Sequence, residues 1–173
     1  VEVFDNPVLE PTGDFTIEFW FNTDVTGNVV FLEKGVSDAE YSVQQSSGDK
    51  LGIYVNGGWM ETNLSYNDST WHHAAFVYRG PGDGTIYVDG VEDVNAGSVA
   101  ALGTPVYSFG RLTIGDRRTG GSFNIEGLMD EVRIWDDERT FSEINDNRFY
   151  TLPGDEQGLI AYYQFDEIVN STN

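Results

Sequence analysis

Residues 14–22 read DFTIEFWFN, in which Phe15, Ile17, Phe19 and Phe21 alternate with Thr16, Glu18, Trp20 and Asn22. A period of two with one strictly apolar face is the pattern of a strand half buried against a core. Working outward, similar short runs follow at VVFLEK (29–34), YSVQQ (41–45), LGIYV (51–55), WHHAAFVY (71–78), TIYV (85–88), RLTIG (111–115), LMDEVRIW (128–135) and LIAYYQF (159–165), and VEVF at residues 1–4 reads as another strand. Between them stand SSGD, NGG, GPGDG, DG and TGG, residues that turn a chain at little steric cost. Asp89-Gly90 predicts a two-residue hairpin turn. One short helix is expected near residues 140–149, because Thr140 and Glu143 have capping-box spacing ahead of FSEINDNRFY. Many evenly spaced strands around one core predict an all-β domain, a two-sheet antiparallel sandwich or a closed barrel.

The 173 residues, 39% of them hydrophobic, fit a single domain spanning 1–173. Twenty-nine acidic side chains oppose nine basic ones, a net charge of −20. Such a surface repels polyanions, so nucleic acid is not an expected partner. It suits a salty or calcium-rich medium, and equally a merely well-solvated surface. No cysteine is present, which removes disulfides and thiolate metal sites. No twenty-residue apolar span occurs, so membrane insertion is not expected. The chain opens directly on a strand, as a module of a longer protein would, with that parent's other domains as neighbours.

GLMDEVRIWDDERTFSEI (127–144) is acid-rich, and poses the choice between a catalytic carboxylate cluster and framework. Strict alternation through the strand puts Leu128, Asp130, Val132 and Ile134 on one face and Met129, Glu131, Arg133 and Trp135 on the other. Asp130 and Glu131 then point apart and cannot bracket one glycosidic bond. On the apolar face Asp130 needs a partner. His73 is a candidate, taking Trp71, His73, Ala75 and Val77 as the core face of their strand. Glu18 and Glu131 fall on outward faces, where Arg133 can serve either. His72 and His73 face opposite ways and cannot share a metal.

Taken in order, DFTIEFWFN, TWHHAAFVY, TIYVDGV, LTIGDR, GLMDEVRIWDDERTFSEI and GLIAYYQFDE resemble the laminin G-like branch of the concanavalin A-like lectin/glucanase superfamily over nearly the whole chain. The resemblance implies a jelly roll of two curved sheets. It also implies an accessory module of secreted bacterial polysaccharide-degrading enzymes or adhesins, extracellular or at the cell surface. The E-x-D-x-E and E-x-D-x-x-E patterns of the glucanase relatives are absent, and so is a Gly-x-Ser-x-Gly elbow, so catalysis is not expected. Related jelly rolls hold calcium where the N-terminal segment, the loop before the first long strand and the end of the last strand meet. The matching positions are Asp5, Gly13 through its carbonyl, Asp14 and Asp166. No D-x-D-x-D-G loop supports them, and turn aspartates are the plainer alternative.

A sugar site needs aromatic platforms and planar hydrogen-bonding groups. Trp20, Trp71 and Trp135 lie within strand motifs and read as packing residues. Trp59 follows the turn NGG, so its ring is expected to project from a loop beside Tyr54, Asn56 and Tyr41. Arg117 and Arg118, the one adjacent basic pair, are candidates for an acidic or sulfated sugar, or else neutralise neighbouring acids. The expected function is a non-catalytic, calcium-stabilised module that binds a polysaccharide or cell-surface glycan. The alternative is a structural spacer or protein-interaction domain, and a glycoside hydrolase or lyase stands third.

Overall fold

The computed structural model describes residues 1–35, 40–99, 101–116 and 123–166. The stretch DFTIEFWFN becomes β2 (Phe15–Thr23), the long inner strand of a six-stranded antiparallel sheet. Its neighbours are β7 (His72–Tyr78) and β11 (Gly127–Trp135). Outside these lie β12 (Leu159–Tyr163) on one side, and β8 (Gly84–Val88) followed by β9 (Val91–Glu92) on the other. The second six-stranded sheet runs β1 (Glu2–Val3), β10 (Leu112–Ile114), β3 (Val29–Lys34), β4 (Tyr41–Gln45), β5 (Lys50–Val55) and β6 (Gly58–Ser65) in spatial order. The two sheets pack face to face as a jelly-roll sandwich, the architecture expected from the strand spacing.

Phe15, Ile17, Phe19 and Phe21 are all fully buried between the sheets. Phe19 stacks on Phe31 of the facing sheet at 5.4 Å and on Phe76 of its own at 6.0 Å, and Phe21 meets Phe31 edge-on at 5.2 Å. Offset and edge-on ring pairs of this kind add to the area they remove from water. The hairpin at Asp89-Gly90 closes on the pair Val88 and Val91, with both turn residues at positive φ, 53° and 75°. That is the primed turn whose twist matches antiparallel strands.

A helix, α2 (Phe141–Asn147), lies where the capping box predicted it. Thr140 Oγ1 accepts from the Glu143 N–H, and the Glu143 carboxylate accepts from the Thr140 N–H. It buries Ile144 against Ala75 and Val77 on the outer face of the first sheet, with Tyr87 beside them. This corrects the expected phase of β7. Ala74, Phe76 and Tyr78 face the intersheet core, whereas Ala75 and Val77 lie outside it, beneath α2, and His73 lies outside it beside Trp20 and Glu18. A strand covered on both sides carries apolar residues on both faces, and its alternation fades.

The alternation in β11 also breaks. Its register with β2 shifts between Asp130 and Arg133, and Glu131 takes φ 52°. This is a β-bulge. Met129, opposite Phe21, packs on the core, as do Val132 and Ile134, whereas Leu128 is exposed. Asp130 therefore sits on the outer side opposite Trp20, not on the apolar face, and it does not pair with His73. Strand β6 and the short helix α1 (Ala96–Val99) were not read from the sequence. The segment after α1 closes on the edge of β6: a Cβ on Gly58 would stand 1.7 Å from the Ala101 carbonyl. Ser98 Oγ and the Asn95 N–H bond the backbone of Glu61, so part of this sheet edge is covered.

Candidate functional site

Two aromatic surfaces stand on opposite sides of the sandwich. The first lies on the outer face of the β1–β6 sheet. Registers link Glu33, Ser42, Tyr54 and Trp59 across four strands, and Gln44, Gly52 and Glu61 across three. The alternate row, Leu32, Val43, Ile53 and Met60, is core, so the first two rows face away from it. Tyr54 and Trp59 are directly cross-strand, with ring centroids 6.4 Å apart and tilted by 46°. Gly52 makes room for the indole: a Cβ there would meet the Trp59 ring at 2.4 Å. Trp59 Nε1 donates to Glu61 Oε2 at 2.8 Å, which fixes the ring across the glycine. Gln44 Nε2 donates to Ser42 Oγ at 2.8 Å beside it.

Trp59 thus belongs to a strand, not to a loop, and it keeps Tyr54 as a neighbour. Asn56, at φ 40°, and Gly57, at φ 84°, form the turn that brings the two rings together. Tyr41 is not part of this surface. It is buried in the core, where its hydroxyl donates to the Leu9 carbonyl. Arg117 and Arg118 lie outside the described residues.

The second surface is a cavity of about 340 Å³ on the outer side of the other sheet, among whose walls are Trp20, Trp71, Phe149 and Tyr150. Trp20 Nε1 donates to the Arg148 carbonyl at 2.7 Å, and the Trp20 ring meets Phe149 at 5.6 Å. Sequence reasoning missed this site because both tryptophans look like strand packing residues. Trp71 precedes β7 and is 43% exposed. The cavity also holds Asp130, Glu131 and Asp166. The bulge therefore reverses the expectation that Asp130 and Glu131 point to opposite faces. Burial raises the Asp130 carboxyl above its ordinary pKa, and the charges of Glu131 and Asp166 raise it further, against one lowering hydrogen bond from the Glu131 N–H.

Beneath the cavity is a buried polar network. Arg133 Nη2 donates to Glu131 Oε2 at 2.6 Å and to the Tyr150 carbonyl at 2.6 Å, and Nη1 to the Asn147 carbonyl at 3.2 Å. Tyr162 donates its hydroxyl to Glu131 Oε2 as well. Arg133 Nη1 lies 3.5 Å from Glu18, so it serves both carboxylates as the strand pattern suggested. These bonds hold the chain that leaves α2 onto the sheet and so set one wall of the cavity.

The four residues expected to bind calcium are not brought together. Lys34 Nζ contacts Asp5 Oδ1 and Glu40 Oε2 at 2.9 Å each, Glu10 Oε1 at 3.5 Å and the Gly110 carbonyl at 2.7 Å. An ammonium thus takes the place that a cation would need at Asp5. Burial opposes the Lys34 charge, but its bonds to Glu40 and Asp5 outweigh that and hold its pKa above the ordinary value. Asp14 precedes Phe15 at one end of β2, whereas Asp166 shares the cavity with Trp20. Six strand residues at ~3.3 Å each separate Asp14 from Trp20 by roughly 20 Å. Among the described residues no group of three or more His, Asp or Glu could hold a metal ion. The two histidines do part company: His72 bonds Asp89 at 2.7 Å, while His73 reaches Glu18.

Comparison with known proteins agrees with this architecture. A structure from Bacteroides ovatus, named as a candidate carbohydrate-binding protein, superposes with TM-score 0.75 at 23% identity, over 94% of this chain and 48% of that one. The heptameric SAP-like pentraxin of Limulus polyphemus gives TM-score 0.61 at 16% identity, over 78% of this chain and 69% of that one. The binding domain of botulinum neurotoxin serotype C1 gives 0.59 at 18%, over 83% and 38%. The chain spans about half the length of the Bacteroides structure, and at these identities the likeness is one of fold. No curated protein matches the sequence. Among the described residues no helix is long and apolar enough to cross a membrane. The laminin G family model of the concanavalin A-like lectin/glucanases superfamily matches residues 1–145, and the chain belongs to that family.

Proposed function

We propose that the domain is a non-catalytic carbohydrate-binding module of an extracellular or cell-surface protein, and that the outer face of the β1–β6 sheet receives the glycan. The observation that carries this reading is the Tyr54–Trp59 pair. Two tilted rings lie side by side on a sheet face, flanked by the Gln44 amide and the Glu61 carboxylate. Sugar rings present apolar C–H faces to aromatics and hydroxyls to planar polar groups, and this surface offers both in a fixed arrangement. The name of the Bacteroides ovatus neighbour and the lectin family support the same reading. No calcium requirement is included, because Asp14 and Asp166 of the expected ligand set lie far apart along β2 and Asp5 is held by Lys34.

A glycan array probed with wild type and Trp59→Ala tests the proposal. Wild type is expected to retain a defined set of glycans, and the variant to lose about tenfold in affinity, as removal of a 1–1.5 kcal/mol ring contact implies. Binding unchanged by the substitution would overturn the placement of the site. The rival reading, a protein-interaction domain, draws on Phe4 and Phe109, which are 76% and 87% exposed. It gains if no glycan is retained and Phe109→Ser abolishes capture of the parent's other domains.

A further inference from the structure

The cavity lined by Trp20 and Trp71 lies in the opposite sheet from Tyr54 and Trp59 and plays no part in the site proposed above. Its volume, about 340 Å³, is at the lower end of the range for small-molecule sites. Four aromatic side chains line it, two of them largely free: Phe149 is 67% and Tyr150 66% exposed. Isolated exposed aromatics need no explanation, but several converging on one concavity with carboxylates do.

The charges in the cavity decide what would fill it. Glu131 is already neutralised from below by Arg133 and Tyr162. Asp130 accepts one bond, from the Glu131 N–H, and neither it nor Asp166 has a cationic partner among the described residues. Among the described lining residues the one cation is Arg148, and no ion pair joins it to Asp130 or Asp166. Its guanidinium lies over the Phe149 ring at 4.6 Å, its Nε and Nη1 are buried without a hydrogen-bond partner, and a Cβ on Gly90 would stand 2.7 Å from Nη1. The open side of the cavity therefore presents aromatic faces and two carboxylates lacking a counter-cation. Aromatic faces attract cations through the ring quadrupole, and the Arg148–Phe149 stack shows one such face already accepting a guanidinium.

We infer that this cavity is a second binding site, one that recognises a protonated amino sugar: a glycan unit whose free ammonium lies between Asp130 and Asp166 while its C–H face rests on Trp20 and Trp71. An N-acetylated sugar lacks the charge, and a uronate carries the wrong one. A neutral sugar would cover both carboxylates without relieving their mutual repulsion.

Titration calorimetry with the β-1,4-linked glucosamine disaccharide tests the inference, alongside the N,N′-diacetylated disaccharide and a glucuronate-containing disaccharide. Tryptophan emission provides a parallel signal from Trp20 and Trp71. The free amine is expected to bind at least tenfold tighter than either comparison sugar. Trp71→Ala should weaken it at least tenfold and Asp130→Asn about fivefold. Trp59→Ala should leave it unchanged, which separates this site from the one on the other sheet. Because the protein carries a net charge of −20, Asp83→Asn is the control for diffuse attraction; Asp83 is exposed and lies in the turn beyond the far end of β7. Equal loss in Asp83→Asn and Asp130→Asn would overturn the inference. So would equal binding of the acetylated sugar, preference for the glucuronate, or full binding by Trp71→Ala.

Discussion

His73 Nε2 lies 3.3 Å from Glu18 Oε2, and both side chains are 2% exposed. The pair sits on the outer face of a sheet, yet it is covered by α2 and the chain that follows. Trp135 Nε1 donates to Glu18 Oε1 at 3.0 Å, and Arg133 adds its charge from 3.5 Å. Burial on its own would raise the Glu18 carboxyl, but the bonds and charges of His73, Arg133 and Trp135 outweigh it and hold the pKa below the ordinary value. A group whose folded pKa is depressed contributes stability above its unfolded pKa and loses that contribution as pH falls through the folded value. Wild type is therefore expected to lose stability as pH falls from the ordinary carboxylate range towards the lower folded pKa. Glu18→Gln should cost about 3 kcal/mol at neutral pH, since the buried Arg133 guanidinium loses one of its two counter-charges, and should flatten the acid limb of the profile. Denaturant midpoints measured across that pH range decide the matter. Parallel acid limbs for the two proteins would show that Glu18 is not the responsible group.

The bulge in β11 ranks two neighbouring carboxylates in the opposite order from simple alternation. Glu131 accepts from Arg133 and Tyr162, whereas Asp130 accepts a single local bond. Glu131→Ala should cost about 2–3 kcal/mol through the carboxylate acceptor that Arg133 and Tyr162 both lose. Asp130→Ala should stay within about 0.5 kcal/mol, as for a residue with no buried partner. Urea denaturation of both variants measures the difference, and equal losses would mean that the network is not held through Glu131.

How much of this was legible follows from the same strand. The fold was readable because the outer face of β2, although Thr16 and Glu18 are buried there, is covered through polar side chains, so its alternation stays clean, and because the turn at Asp89-Gly90 and the cap at Thr140 have local chemistry. β11 misled because bulges are often marked by glycine, whereas here Glu131 itself takes φ 52°. The apolar spacing Met129, Val132, Ile134 was the available sign: a gap of three followed by a gap of two does not fit an unbroken strand. The two tryptophans of the cavity were illegible for a different reason. Nothing local tells whether an outward aromatic is covered by a later helix or left open beside it, and Trp135 and Trp71 took those different courses, one 1% and the other 43% exposed.

With Asp130 and Glu131 in one cavity, hydrolysis becomes a sharper test than it was for carboxylates facing apart. Adjacent residues have Cα atoms only ~3.8 Å apart and supply their carboxyls from one rim, so a flanking pair would have to include Asp166. Glycosidases need their pair to flank the bond from two sides, roughly 5–9.5 Å apart. Incubation with laminarin, agar, carrageenan, alginate, fucoidan and chitosan is expected to leave chain length unchanged by size-exclusion chromatography. Sustained shortening that disappears in Glu131→Gln would replace the binding-module reading with an enzymatic one.

Calcium can be tested against magnesium. A site with a dissociation constant of roughly 0.1–1 mM, as in extracellular modules, would be saturated ten- to hundredfold by about 10 mM calcium. Binding to the native state alone would then add about 1.4–2.7 kcal/mol. In a domain of this size that is a rise in melting temperature of about 3–11 °C over chelator-treated protein. Asp5, however, is held by Lys34, and Asp14 lies just before β2 whereas Asp166 shares the cavity with Trp20, well along that strand. Screening of the net charge of −20 by any divalent cation remains, and it does not distinguish the two metals. Calcium and magnesium are therefore expected to raise melting by the same few degrees, with Asp166→Ala behaving as wild type. A calcium-specific rise that Asp166→Ala erases would show that the ligand set implied by the family resemblance assembles after all, and that the separation along β2 had been bridged.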